Sequence, residues 1–118
     1  MKKLLVLAIL TALLSCNDDD TPGISITSPK DGETFNGGQT VQVKVKITDD
    51  GDSIMNEWLF VISEENDTIV NFRDDEFAFD YTITQSFQVQ SNRTYKIRAK
   101  ARGGHGHWGT KTIYVSGE

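Results

Sequence analysis

Residues 41–48 have the sequence VQVKVKIT, and this stretch decides the fold. Its apolar members, Val41, Val43, Val45 and Ile47, alternate strictly with polar side chains. Successive side chains of a β-strand point to opposite faces, so this alternation predicts a strand with one buried and one solvated side. The stretch therefore predicts a sheet that covers one side of a hydrophobic core.

The same alternation returns in residues 95–102, YKIRAKAR, where the apolar positions are separated by basic side chains. Further strands are predicted at residues 24–27, 57–63, 68–72, 77–89 and 110–116. Clusters of Gly, Pro, Asn and Asp separate them, and no segment has a helical period of useful length. About seven short antiparallel strands predict an all-β fold, a sandwich of two sheets.

Two aromatic stretches give more specific expectations about the core. Trp58 lies on the third predicted strand, where sandwiches often bury a large aromatic side chain. Phe77 and Phe79 share one parity with Tyr81, Ile83 and Phe87, so they are expected on one side of a single strand.

The N-terminus has the three parts of a secretory signal peptide. Lys2 and Lys3 precede an almost purely apolar run, residues 4–14, and Ser15 is the small residue before the single cysteine, Cys16. A membrane-spanning helix needs about 20 apolar residues, and this run is too short. Residues 1–15 are therefore predicted to be a cleaved signal peptide.

The stretch LLSC, residues 13–16, resembles the lipobox of bacterial lipoproteins. That resemblance implies cleavage before Cys16 and attachment of acyl chains such as palmitate to this cysteine. The following residues, Asn17, Asp18, Asp19 and Asp20, look like the acidic export tag of Bacteroidota surface lipoproteins. The likeness implies an outer-membrane protein displayed at the cell surface. A periplasmic-facing anchor with a solvated acidic spacer is the alternative.

Residues 26–35, ITSPKDGETF, followed by Gly38 and the strand at 41–47, resemble the opening of bacterial immunoglobulin-like domains. The strand 95–101, the glycine-rich loop after it and residues 111–115 resemble their closing strands. The likeness covers roughly residues 22–117 and implies the immunoglobulin-like sandwich. The predicted organisation is a signal peptide at 1–15, a lipidated and acidic tether at 16–22, and one domain at 23–118. Such modules serve adhesion, sugar binding and spacing alike, so the fold leaves function open.

Composition excludes several classes of function. The formal net charge is −5, which argues against nucleic acid as a partner. The sequence contains no Gly-x-Ser-x-Gly nucleophile elbow and no glycine motif that opens a helix as phosphate-binding loops do, and its only two histidines lie in one loop. We therefore predict that the protein is not an enzyme.

Two loops carry residue types that bind metals. In GGHGHWG, residues 103–109, His105 and His107 would point to the same side of an extended chain and could share copper or zinc. The alternative is a hairpin turn with solvated histidines. Asp49, Asp50 and Asp52 offer the oxygen ligands that calcium prefers, although turn chemistry explains the same residues.

Trp108 and Tyr114 share the parity that faces outward on the last predicted strand. Exposed rings on a sandwich face form a plausible platform for sugars, although Trp108 could also cover the end of the core. The predicted function is a lipid-anchored, non-catalytic binding or accessory module at the cell surface, with a protein or carbohydrate ligand. The alternative is a copper- or zinc-binding lipoprotein that uses the histidine loop.

Overall fold

The computed structural model describes residues 21–49 and 53–118. The predicted signal peptide, Cys16 and the acidic run at 17–20 lie outside these residues. So do Asp50 and Asp52 of the predicted calcium loop.

The described chain is an all-β sandwich, as the alternation predicts. A three-stranded sheet has the order β1-β3-β6, and a five-stranded sheet has the order β2-β8-β7-β4-β5. None of the described residues belongs to a helix long and apolar enough to cross a membrane. The eight strands are β1 (Gly23–Ser28), β2 (Thr34–Phe35), β3 (Thr40–Thr48), β4 (Ile54–Ser63), β5 (Thr68–Asp74), β6 (Asp80–Gln88), β7 (Thr94–Gly103) and β8 (Trp108–Gly117).

The two alternating stretches occupy the centres of the two sheets. β3 pairs antiparallel with β1 and β6, and β7 pairs antiparallel with β4 and β8. The predicted inward positions of both strands are confirmed, because all of them are buried. The fully or almost fully buried aliphatic residues between the sheets are Val41, Val43, Val45, Ile47, Ile54, Leu59, Val61, Ile83, Val89, Ile97, Ala99, Ala101 and Val115.

One strand could not be predicted from the sequence pattern. β2 is only two residues long and pairs parallel with the end of β8. It is held beside β8 by the turn before it, where the Gly32 amide donates to the Tyr114 carbonyl over 2.7 Å. Two residues carry no periodicity, so the prediction of about seven antiparallel strands omits this short parallel pair.

The expectation that Trp58 is buried in the core is wrong. The β4 register shifts at a bulge between Ile54 and Asn56. Beyond the bulge Leu59 and Val61 point inward, with none of their surface exposed, while Trp58 lies half-buried on the outer side. Both sides of β4 are apolar, so alternation could not decide which one faces the core.

The expectation that Phe77 and Phe79 continue the buried side of the next strand is also wrong. β6 begins only at Asp80, and the two rings are 57% and 66% exposed. The segment before β6 crosses from one sheet to the other. It is fixed by paired backbone hydrogen bonds between Ile54 and Ala78, of 2.6 and 3.0 Å. This crossing leaves both phenylalanines at the end of the sandwich.

Candidate binding face

The outer side of the five-stranded sheet carries basic and aromatic side chains in adjacent rows. On β7 every outward position from 96 to 102 is Lys or Arg. The neighbouring strands β4 and β8 contribute indole, phenyl and phenol rings at matching registers. We call this surface the basic aromatic face; it comprises Trp58, Phe60, Arg73, Lys96, Arg98, Lys100, Arg102, Trp108 and Tyr114.

Two tryptophans from different strands meet on this face. Trp58 lies opposite Lys100, and Trp108 lies opposite Arg102. Because β7 runs between β4 and β8, the rings reach across β7 to meet, with centroids 4.6 Å apart and planes tilted by 50°. Tilted aromatic pairs at this distance are attractive beyond the area they bury, so the two rings orient each other.

Cations pack against both indoles. The Arg73 guanidinium lies 4.8 Å from the Trp58 ring centroid, and the Lys100 ammonium lies 5.0 Å from that of Trp108. Lys100 also approaches Trp58 at 5.8 Å, and Arg102 approaches Trp108 at 6.0 Å. These are cation–π distances. Such contacts restrict long basic side chains that would otherwise sample many rotamers. The rings therefore help to hold the charges in place.

A hydrogen-bonded chain fixes one end of the face. The Arg102 Nε donates to the Asn56 side-chain oxygen over 2.5 Å, and the Asn56 amide donates to Asp75 over 2.5 Å. The Trp58 Nε1 also donates to Asp75, over 3.5 Å. Asp75 thus anchors an indole and, through a neutral amide, a guanidinium. It does not pair with the guanidinium directly.

The other end of the face opens into a shallow recess of about 200 Å³. Most of the lining surface is apolar, and the residues that line the recess are Ile62, Ser63, Glu64, Asn66, Thr94, Lys96 and Tyr114. Tyr114 is 49% exposed at the recess, and Trp108 is 37% exposed at the opposite end. Both predicted platform residues therefore lie on the outer face, but at its two ends and not side by side.

The histidine loop is a tight turn between β7 and β8. The Gly103 amide donates to the His107 carbonyl over 3.1 Å, and the Gly106 amide donates to the Gly103 carbonyl over 3.0 Å. Gly106 has φ of 90°, a conformation that only glycine adopts without strain. The premise that His105 and His107 lie on an extended chain is therefore wrong, because a turn separates them.

Metal-type ligands are not grouped in the part of the chain that the structure describes. Among residues 21–49 and 53–118, no three His, Cys, Asp or Glu side chains gather as a metal site would require. Asp49 is half-buried immediately after β3, before the two loop aspartates that lie outside the described residues. Copper or zinc at the histidines and calcium at this loop stay predictions.

The sequence matches one protein family over most of the described domain. Residues 22–99 match the bacterial Ig domain family. The chain belongs to this family. Among curated proteins, none matches this sequence at a significant level.

Solved structures with this architecture come from proteins of very different kinds. The fibronectin(III)-like modules of Clostridium thermocellum CbhA have a TM-score of 0.54 and 13% identity, with 81% of this chain and 97% of that chain covered. Superoxide reductase (neelaredoxin) from Ignicoccus hospitalis has a TM-score of 0.60 and 16% identity, covering 89% and 86%. At these identities the likeness is one of fold alone. For this bacterial Ig domain, function must be sought in its side chains.

Sequence reasoning missed a buried acidic residue of this bacterial Ig domain. Glu57 points inward from β4 with none of its surface exposed. Its Oε1 accepts a hydrogen bond from the Glu76 amide over 3.2 Å, but its Oε2 has no hydrogen-bond partner among the described residues. Burial raises the pKa of Glu57 to about 7, and the nearby Asp74 adds to the rise.

Tyr81 extends the same acidic cluster. Its hydroxyl donates to Asp74 over 2.5 Å, and burial together with this hydrogen bond raises the Tyr81 pKa. The sequence signal was the adjacency of Glu57 and Trp58, because one of the two had to face inward. Hydrophobicity predicts that Trp58 faces inward, but the bulge between Ile54 and Asn56 turns Glu57 inward instead.

Proposed function

We propose that this bacterial Ig domain is a lipid-anchored, cell-surface, non-catalytic binding module that holds its ligand on the basic aromatic face. The observation that carries the proposal is the Trp58–Trp108 pair flanked by Arg73 and Lys100. Exposed aromatic rings lower solubility, and the core needs neither these rings nor the cations beside them. A cluster of this kind on a surface is typical of an interaction site.

Carbohydrate is the ligand class that this surface favours over an extended peptide. A peptide strand gains affinity by adding to a sheet edge, where backbone groups are unpaired. The centre of the face is β7, whose backbone is already paired with β4 on one side and β8 on the other. A ligand lying there meets side chains only. The exposed parts of the rings, the hydroxyls and the charged groups suit a sugar chain.

The anchor follows from the lipobox resemblance at Cys16. Two or three acyl chains hold a protein durably at a bilayer, whereas one chain gives marginal binding. The short run from Cys16 to the first described residue, Thr21, would keep the domain close to the membrane. A tethered domain gains in effective concentration for polymers at that surface.

A glycan array with matched aromatic variants tests the proposal. The full chain, solubilised in mild detergent, is compared with Trp58→Ala/Trp108→Ala and with the control Phe77→Ala/Phe79→Ala. The control removes two exposed rings, in contact at 5.4 Å, that lie off the basic aromatic face. We expect binding that is lost in the tryptophan variant and retained in the phenylalanine variant. The absence of any glycan binding, or equal loss in both variants, contradicts the proposal.

A further inference from the structure

We propose that the basic aromatic face selects acidic polysaccharides, sugar chains that carry carboxylate or sulfate groups. This inference deepens the proposed function and rests on it. The observation behind it is a contrast of charge: the chain has a net charge of −5, yet one face presents a continuous row of cations.

The row runs along the centre of the face. Lys96, Arg98, Lys100 and Arg102 occupy successive outward positions of β7. Side chains on one side of a strand are about 7 Å apart, so the row spans about 20 Å. Among the described residues, no Asp or Glu occupies an outward position of β4, β7 or β8. Two carboxylates border the row: Asp75 lies at its Arg102 end, and Glu64 lines the recess with Lys96. The face thus offers positive charge at regular intervals to an extended ligand.

The cations of the β7 row form no direct ion pair among the described residues. In the described part of the chain the ion pair found is that of Arg93 with Glu65, which lies off the face, and none joins the β7 row to a carboxylate. Arg102 is held by the neutral Asn56 amide, and Arg98 donates to the Thr112 hydroxyl over 3.4 Å. Four like charges in one row repel each other, and an anionic ligand would relieve that repulsion.

The same surroundings prepare the cations for binding. The indoles restrict Arg73 and Lys100, so less side-chain entropy is lost when a ligand binds. Guanidinium groups match carboxylate and sulfate oxygens with two parallel hydrogen bonds. The hydroxyls of Thr110 and Thr112, beside the row on β8, can bond to sugar hydroxyls.

Single-stranded nucleic acid fits this face less well. Stacking of bases requires open aromatic faces. The Trp58 ring is half-buried and packed between Arg73 and Trp108, and Phe60 is also approached by Arg73 at 5.2 Å. These rings serve mainly to position cations. The exposed rings of the face are Trp108 and Tyr114, which lie at its two ends. They can contact a sugar chain that lies along the row of cations.

Ligands that differ only in charge provide the first arm of the test. Binding of the full chain in mild detergent is measured to dextran sulfate against dextran, and to polygalacturonate against its methyl ester. We expect binding to the charged member of each pair at least about tenfold tighter than to the neutral one. Raising NaCl from about 50 to about 500 mM should weaken it strongly, because the Debye length falls severalfold. Oligothymidine and polyglutamate are measured in parallel as other polyanions.

Variants that differ only in the location of the lost charge provide the second arm. Lys96→Gln/Lys100→Gln removes two charges from the face. Lys44→Gln/Lys46→Gln removes two exposed lysines from β3, on the opposite sheet. The first variant should lose at least about tenfold in affinity for the charged glycans, and the second should change it by less than about twofold.

The outcomes separate this inference from the proposed function. Equal binding to charged and neutral chains, still dependent on the two tryptophans, overturns the acidic ligand and retains a glycan-binding face. Equal or tighter binding to oligothymidine or polyglutamate overturns the choice of polysaccharide. Equal losses in the two lysine variants overturn the role of the row. No binding to any of the four polysaccharides also overturns the inference, whatever neutral glycan the array identifies.

Discussion

Glu57 shows how one buried residue makes the stability of this domain depend on pH. Its folded pKa is about 7 and its ordinary value is 4.5, and burial is the main cause. Below pH 4.5 both the folded and the unfolded chain hold the proton. Between these two values the unfolded chain releases the proton while the folded chain keeps it, so the free energy of unfolding falls as pH rises.

We predict that the wild-type domain loses roughly 3 kcal/mol of unfolding free energy between about pH 5 and pH 8 through this group. Glu57→Gln keeps an acceptor for the Glu76 amide and carries no charge. It should flatten that part of the profile and raise stability at pH 8. Urea unfolding of both proteins at several pH values measures this. Parallel profiles for the two proteins would show that Glu57 is not the responsible group.

β4 is the element on which the sequence and the structure diverge most. Leu59 and Phe60 are neighbours on it, one fully buried between the sheets and the other half-buried on the outer side. Phe60 makes an edge contact with Trp58, with centroids 6.1 Å apart. The side to which each residue points decides how much each contributes to stability.

The register of β4 predicts an inverted order of mutational costs. Leu59→Ala should destabilise the domain by about 2–5 kcal/mol, because it leaves a cavity in the core. Phe60→Ala removes a larger side chain, yet it should cost less, because water can fill the space. Denaturant unfolding of both variants gives the comparison. A greater cost for Phe60→Ala would mean that the opposite side of β4 faces the core.

How far the sequence could predict each element depends on how different its two sides are. β3 alternates between apolar and polar residues, and β7 between apolar and basic residues. The inward side chains of both strands and the outward row of cations could therefore be predicted from pattern alone. β4 is apolar on both sides and bulged near its start, so the pattern could not predict which side of the sheet Trp58 faces. The site was therefore predicted only in part. Trp108 and Tyr114 were placed outward, but their combination with Trp58, Arg73 and the β7 row depends on strand order.

The whole molecule combines one sandwich with a predicted anchor at Cys16. The Gly23 end of β1 pairs with Thr48, and the Gly109 backbone lies close to Pro22, so the chain enters the domain at one end of the sandwich. The basic aromatic face runs along the flank of the domain from the histidine turn to the recess beside Tyr114. A polymer could reach this flank while the entry end stays at the membrane.

Localisation can be measured directly with two variants. Cells grown with labelled palmitate should incorporate label into the wild type. The Cys16→Ser protein should carry no label and should be absent from the membrane fraction. Replacing Asp18, Asp19 and Asp20 by Ala should keep the label but protect the domain from protease added to intact cells. Retained label in Cys16→Ser argues against lipidation, and unchanged protease sensitivity argues that the acidic run is only a spacer.

The central claim is that ligands lie on the outer side of the five-stranded sheet, and amide chemical shifts test it most directly. The ¹⁵N-labelled full chain in mild detergent is titrated with polygalacturonate fragments, or with whichever glycan the array identifies. We predict that the shifted amides concentrate on β4, β7 and β8, around Trp58, Lys100 and Trp108, together with both indole N–H signals. The claim is contradicted if the shifts concentrate on β3 and β6 of the opposite sheet, or around Phe77 and Phe79, while the two indole signals stay in place.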